Sequence, residues 1–197
     1  MCEQGNMVDV IIGLIGPVCA GKTTLARAWE RQFDWVANDS WSARLQPWVK
    51  PAVPIREDYT SAAMAMVEER GMSALADMML ADKAKMSKRV AIADAPRWME
   101  HIQCLRHTSI PCVMVYVDAP VFVRWQRQRT RARFPGDAEM SLQAFWLAER
   151  NTFSEAFIPE LRSHADLYVE NVATESEWLE RSEQLLRDCL WMVGLEL

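Results

Sequence analysis

The octapeptide Gly16-Pro17-Val18-Cys19-Ala20-Gly21-Lys22-Thr23 constrains this chain more than any other stretch. It fits G-x-x-x-x-G-K-[ST] at every fixed position, the phosphate-binding P-loop pattern. Its flanks fit as well. Upstream, Val8 to Ile15 is an apolar, β-branched run, too short for a free-standing helix and suited to a buried parallel strand. Downstream, Leu25, Ala26, Ala28 and Trp29 share a run with Arg27, Glu30 and Arg31, the mark of an amphipathic helix. Gly16 and Gly21 free the backbone to close on an anion. From Gly16 through Pro17, Val18, Cys19, Ala20 and Gly21 to Lys22, Thr23 and Thr24, every residue but the proline then offers an N–H to phosphate oxygens at a helix N-terminus. Lys22 is expected to reach the β- and γ-phosphates as a point charge, and the Thr23 hydroxyl to coordinate Mg²⁺. ATP and Mg²⁺ are the expected cofactors. The plain alternative is an ordinary strand-to-helix turn with a surface lysine.

With 197 residues, half of them apolar, the chain predicts a single α/β domain over 1–197 with a short lid. Its formal net charge of −5 argues against a general nucleic-acid binder. Cys2, Cys19, Cys104, Cys112 and Cys189 are scattered and lack CxxC spacing, so neither a disulfide framework nor a zinc site is indicated. Met1 to Asp9 has no secretory pattern, and no apolar run reaches the roughly 18 residues of a membrane span. A cytoplasmic protein without membrane or nucleic-acid partners is expected.

Further along, Asp34 to Ala37 reads as a second strand leading into Asn38-Asp39-Ser40-Trp41, where Asp39 or Ser40 could cap a helix to about Leu45. Pro47, Pro51, Pro54 and the charged Arg56-Glu57-Asp58 break regularity. Thr60 to Met86 is helical in composition with an interruption at Gly71, and its methionines suit either core packing or an adaptable pocket. Val90 to Asp94, Pro111 to Val117 and Leu167 to Val169 are further strands. Trp98–His107, Val121–Arg133, Ser141–Phe153 and Ser176–Leu190 are further helices. This alternation predicts a five-stranded parallel sheet with helices on both faces, and ligands at the carboxyl ends of the strands. Arg124, Arg127 and Arg131, three and four residues apart, share one helical face. They can stack on a base and pair with phosphate, or form a solvated basic face.

These segments resemble the small P-loop kinases of the adenylate kinase and dephospho-CoA kinase type. The residues that carry the likeness are Val117-Asp118-Ala119-Pro120 with Arg127 and Arg131, Ala93-Asp94-Ala95-Pro96-Arg97 with Glu100, and Ala165-Asp166-Leu167-Tyr168-Val169-Glu170-Asn171. The resemblance implies a three-layer P-loop NTPase fold, with a helical acceptor-binding insertion over about 38–88 and a lid over about 127–150. It implies that Arg127 packs against adenine and Arg131 meets the transferring phosphate. Arg97 would hold an anionic acceptor group, and Asp94 would sit near the metal. Helix capping by Asp94 and an Arg97–Glu100 pair are the structural alternatives. Asn38-Asp39-Ser40-Trp41 also resembles the aspartate-serine-aromatic segment of uridine kinase-like proteins. Asp39 is then a candidate base for a hydroxyl acceptor, whereas a nucleoside monophosphate acceptor needs only arginines. The expectation is an ATP- and Mg²⁺-dependent transfer to a small nucleotide-like molecule, a nucleoside monophosphate or a dephospho-CoA-like acceptor. The alternatives are an alcohol kinase using Asp39 as base, or a non-catalytic ATP-binding module.

Overall fold

The apolar run ahead of the glycine-rich loop forms β1 (Val10–Ile15), every residue of which is buried. The computed structural model describes residues 8–51 and 54–197, so the readings made on residues 1–7, Cys2 among them, lie outside it. β2 (Val36–Ser40), β3 (Val90–Asp94), β4 (Cys112–Asp118) and β5 (Leu167–Glu170) join β1 in one sheet. The order is β2-β3-β1-β4-β5 and every pairing is parallel.

The helices follow as α1 (Lys22–Gln32), α2 (Trp41–Arg44), α3 (Arg56–Arg70), α4 (Ala74–Leu80), α5 (Lys83–Met86), α6 (Met99–Arg106), α7 (Val121–Arg131), α8 (Leu142–Asn151), α9 (Phe153–Ala156), α10 (Ile158–Leu161) and α11 (Glu175–Met192). Alternate residues of β1 feed opposite cores, as the two-residue period of a strand requires. Ile11 and Ile15 pack with Trp41, Met66, Leu75, Ile102 and Leu161. Val10, Ile12 and Leu14 pack on the other face with Leu25 and Trp29 of α1 and Trp178, Leu186 and Leu190 of α11. The Trp29 indole N–H ties those two helices by donating to the Ser182 carbonyl at 2.7 Å.

Two local readings change, and a third is decided between its alternatives. β2 lies later than 34–37 because its register with β3, Val36 against Val90 to Ser40 against Asp94, draws Asn38 and Asp39 into the sheet. Arg56-Glu57-Asp58 does not break the chain; it is the first turn of α3. The Asp58 carboxylate accepts the Ile55 N–H at 2.7 Å, and two acids suit the positive end of a helix. Most of the methionines serve packing: Met66 and Met79 are fully buried, and Met72, Met78 and Met86 pack against the same core, while Met64 is exposed.

Among the described residues, no helix is long and apolar enough to cross a membrane.

Candidate active site

Strand order reverses at β1, between β3 and β4, and a crevice opens there at the carboxyl ends of the strands. The glycine-rich loop lies in this crevice. Gly16 takes φ +131°, and a Cβ there would stand 2.0 Å from the Val117 carbonyl oxygen; Gly21 takes φ +107°. Only glycine fits either place.

Lys22 is 6% exposed, and its Nζ donates to the carbonyls of Gly16 at 2.7 Å and Pro17 at 2.6 Å. Burial, reinforced by the Arg97 charge, lowers its pKa to about 8, while Glu155 and Asp94 act in the opposite direction. The Thr23 hydroxyl donates to Asp94 Oδ1 at 3.3 Å. Burial raises the Asp94 carboxyl above its ordinary range, and the Lys22 charge moderates this. A hydroxyl and a carboxylate side by side at the phosphate loop fit Mg²⁺, which takes one or two protein oxygens and fills its shell with phosphate and water. Among the described residues, no three His, Cys, Asp or Glu side chains form a protein-only cage.

Two clefts meet at this loop. One is an open groove of about 730 Å³ between Gly21–Thr24, the Arg127 face of α7 and residues 171–175. Arg127 is braced there, donating to Asn171 Oδ1 at 3.1 Å and to the Ala173 carbonyl at 3.0 Å. Asn171 Nδ2 in turn donates to the Ala20 carbonyl at 2.9 Å, so one asparagine joins the phosphate loop to α7. The other cleft is a cavity of about 170 Å³ lined in part by Lys22, Thr23, Asp94, Arg97 and Arg131.

The sequence candidates therefore divide. Cys19, Gly21 to Thr24 and Arg127 border the groove, Val18, Asp94 and Arg97 gather in the cavity with Cys19, Lys22 and Thr23, Arg131 borders both, and Gly16, Pro17 and Ala20 line neither. Asp39 lines neither cleft. It is 2% exposed, and Arg44 Nε reaches its two oxygens at 2.7 and 2.9 Å. Arg44 also pairs with Asp82 at 2.9 Å. Asp39 caps no helix either: Ser40 precedes α2, without a side-chain cap bond. Asp94 ends β3, and α6 begins only after Trp98. Arg97 ignores Glu100 and pairs with Glu155 of α9 at 2.7 Å. Arg124 leaves the expected basic face for the interior, where it pairs with Glu149 and donates from Nε to the Ala119 carbonyl at 2.7 Å.

Other cavity residues gave little sign of themselves in the sequence. Glu155 is fifty-eight positions from its partner Arg97. His101 is fully buried, and its Nδ1 accepts the Arg97 main-chain N–H at 3.1 Å. Burial, with Arg97 adding to it, drives its pKa down to about 3, so the ring is neutral. It lies 4.5 Å from the Trp41 ring and 4.8 Å from that of Trp98. Cys19 holds φ +59° in the loop, and burial pushes its thiol pKa up, opposite to an activated thiolate.

The sequence matches the AAA domain family over residues 11–156. A search of curated proteins finds no match. Among solved structures, shikimate kinase from Acinetobacter baumannii in complex with shikimate superposes with a TM-score of 0.56 at 16% identity, covering 92% of this chain and 94% of that one. Shikimate kinase from Bacteroides thetaiotaomicron gives 0.58 at 19%, covering 92% and 98%. An APS kinase from Mycobacterium tuberculosis in complex with AMPPNP and APS gives 0.52 at 15%, covering 91% and 98%. At these identities the likeness is one of fold. The chain belongs to the AAA domain family, and its five-stranded parallel sheet with flanking helices is the fold of P-loop small-molecule kinases.

Proposed function

We propose that this protein is an ATP- and Mg²⁺-dependent phosphotransferase acting on a small-molecule acceptor. The observation that carries this reading is that Cys19, Lys22, Thr23 and Arg131 border both clefts. A triphosphate running from the groove through the loop would end where the cavity begins, which is the placement an in-line transfer needs.

In this reading Arg127 supports the base end of the nucleotide, and the loop amides hold the α- and β-phosphates. Lys22 exchanges its two carbonyl partners for β- and γ-phosphate oxygens. Thr23 and Asp94 would hold Mg²⁺, which neutralises charge on the β- and γ-phosphates when bound. The Arg131 side chain makes no hydrogen bond or ion pair among the described residues, and in this reading it faces the charge that spreads over the migrating group. An acceptor oxygen forms the new P–O bond as the bond from the γ-phosphorus to the β–γ bridging oxygen breaks and ADP departs. A hydroxyl acceptor gives its proton to a cavity carboxylate and thence to water. Arg97 positions the acceptor, with its backbone fixed by His101.

A nucleoside monophosphate or dephospho-CoA-like acceptor is one form of this reading, supported by Arg97. The form with Asp39 as base requires that carboxylate to leave Arg44 and enter the cavity. In a purely regulatory module ATP would bind without any acceptor raising ADP release. Lys22→Ala decides the central point: it should abolish Mg·ATP binding and ADP release in an acceptor screen while the protein stays folded. Undiminished turnover in that variant would overturn the proposal.

A further inference from the structure

A third opening borders the glycine-rich loop at Pro17. It is a groove of about 580 Å³ between the carboxyl end of β4, α7, α8 and α10. That volume falls within the roughly 300–1,000 Å³ of small-molecule sites. Lys22, Thr23, Asp94 and Arg131 do not line it, and Glu155 is the one residue it shares with the cavity beside Lys22. A molecule held here is therefore not placed to receive the γ-phosphate.

Every carboxylate of this groove has a partner, while several of its donors have none. Asp118 accepts the Ala119 N–H at 2.8 Å and the Tyr168 hydroxyl at 3.2 Å; Glu149 pairs with Arg124, and Glu155 with Arg97 at 2.7 Å. Tyr116 is only 4% exposed, yet its hydroxyl makes no hydrogen bond among the described residues. Unlike the sealed, unpaired atoms of Asn38 and His101, that hydroxyl keeps some open surface, and Tyr116 lines the groove. Burial, with the Asp118 charge adding to it, pushes its pKa up to about 12 against the pull of Arg162 and Arg124, so it is a donor at neutral pH. Arg124, 8% exposed, commits Nε to the Ala119 carbonyl and Nη1 to Glu149, and its Nη2 makes no hydrogen bond. The guanidinium groups of Arg150 and Arg162 make no hydrogen bond or ion pair among the described residues. They lie over the rings of Trp146, at 4.5 Å, and Tyr168, at 4.2 Å. Stacking covers a guanidinium face and leaves its in-plane N–H groups free.

A polar group this deeply buried is normally satisfied, so an unpaired hydroxyl opening into a groove beside free guanidinium groups calls for an acceptor from outside. A carboxylate or phosphate accepts from several such donors at once. Val121, Trp146, Ala156 and Pro159 add an apolar wall. We infer that this groove binds a small organic anion, one carboxylate or phosphate on a compact apolar body, at a site separate from the phosphotransfer centre. Tyr116, Arg124 and Arg162 take the oxyanion, and the body lies along Trp146 and Pro159. The inference does not depend on the phosphotransferase reading. The occupant nevertheless adjoins the loop: the Pro17 carbonyl receives Lys22 Nζ at 2.6 Å, and Arg124 Nη1 stands 3.5 Å from the Val18 carbonyl.

The test is calorimetric titration of the full chain with benzoate, phenyl phosphate and the neutral benzyl alcohol, each with and without saturating Mg·AMPPNP. One of the two anions should bind, which also tells carboxylate from phosphate, and the alcohol should bind at least roughly tenfold more weakly. Tyr116→Phe keeps the ring and removes only the unpartnered hydroxyl, and Arg162→Gln changes an exposed side chain. Both variants should melt with the wild type, and each should raise the Kd of the anion roughly tenfold, as expected for a hydrogen bond to a charged group. Mg·AMPPNP should leave the anion bound. Binding of neither anion, equal binding of the alcohol, an unchanged Kd in either variant, or displacement by Mg·AMPPNP, which would put the anion on the phosphate loop, overturns the assignment.

Discussion

Replacing Lys22 by methionine should stabilise the ligand-free protein while destroying its use. The side chain is almost wholly buried, and its pKa falls from 10.5 to about 8. At about 1.4 kcal/mol per pKa unit, the fold opposes the charged lysine by roughly 3 kcal/mol wherever it is protonated in both folded and unfolded states, that is, below pH 8. Methionine removes this burden but strips a donor from the Gly16 and Pro17 carbonyls, each loss costing about 1 kcal/mol. The net gain is about 1 kcal/mol at pH 7, or about 2–4 °C in Tm for a chain of this size. Because the folded-state pKa is depressed, the wild type recovers as pH rises from 8 toward 10.5, and the advantage of Lys22→Met should shrink over that interval. Thermal melts at several pH values, with and without Mg·ATP, measure both effects. Saturating nucleotide at 100 times its Kd should raise the wild type by about 2.7 kcal/mol and the variant by nothing. A variant less stable than wild type at pH 7 without nucleotide, or one protected equally by Mg·ATP, would refute the argument.

Asp39→Asn breaks the carboxylate clamp on Arg44 and should cost about 2 kcal/mol of stability, with acceptor KM and kcat close to wild type. A loss of kcat by orders of magnitude with an unchanged melting curve would instead restore Asp39 as the base. Glu149→Ala leaves the buried guanidinium of Arg124 without its partner and should cost about 3 kcal/mol in chemical denaturation. The double variant Arg124→Met with Glu149→Met should lose far less, and equal losses would show that the pair is not the cause.

The sequence disclosed what is local. Strand, loop and helix around Gly16–Thr23 were legible because a glycine-rich turn, a β-branched run and an amphipathic run are each written within a few residues. The start of α7 followed from Pro120 ahead of Val121, and the sheet followed from the alternation of buried runs with helical ones. What stayed hidden depends on partners far along the chain. Glu100 is the obvious neighbour for Arg97 by helical spacing, yet Arg97 lies ahead of α6 and meets Glu155 across the cleft. Helical spacing placed Arg124, Arg127 and Arg131 together, but an approaching α8 took Arg124 through Glu149 and left the other two at the clefts. Asp39 was misplaced for a similar reason. Pairing with β3 extended β2 through it, and Arg44 with Asp82 built a closed network there.

Where a nucleotide sits tests the role of the glycine-rich loop most directly. A crystal structure of the full chain with Mg·AMPPNP should show the phosphates wrapped by residues 16–24 and Lys22 Nζ moved from the Gly16 and Pro17 carbonyls to phosphate oxygens. The base should lie beside Arg127, with the γ-phosphate facing Arg131 and the cavity. A nucleotide bound elsewhere, or Lys22 still turned onto its own loop beside an occupied groove, would contradict it.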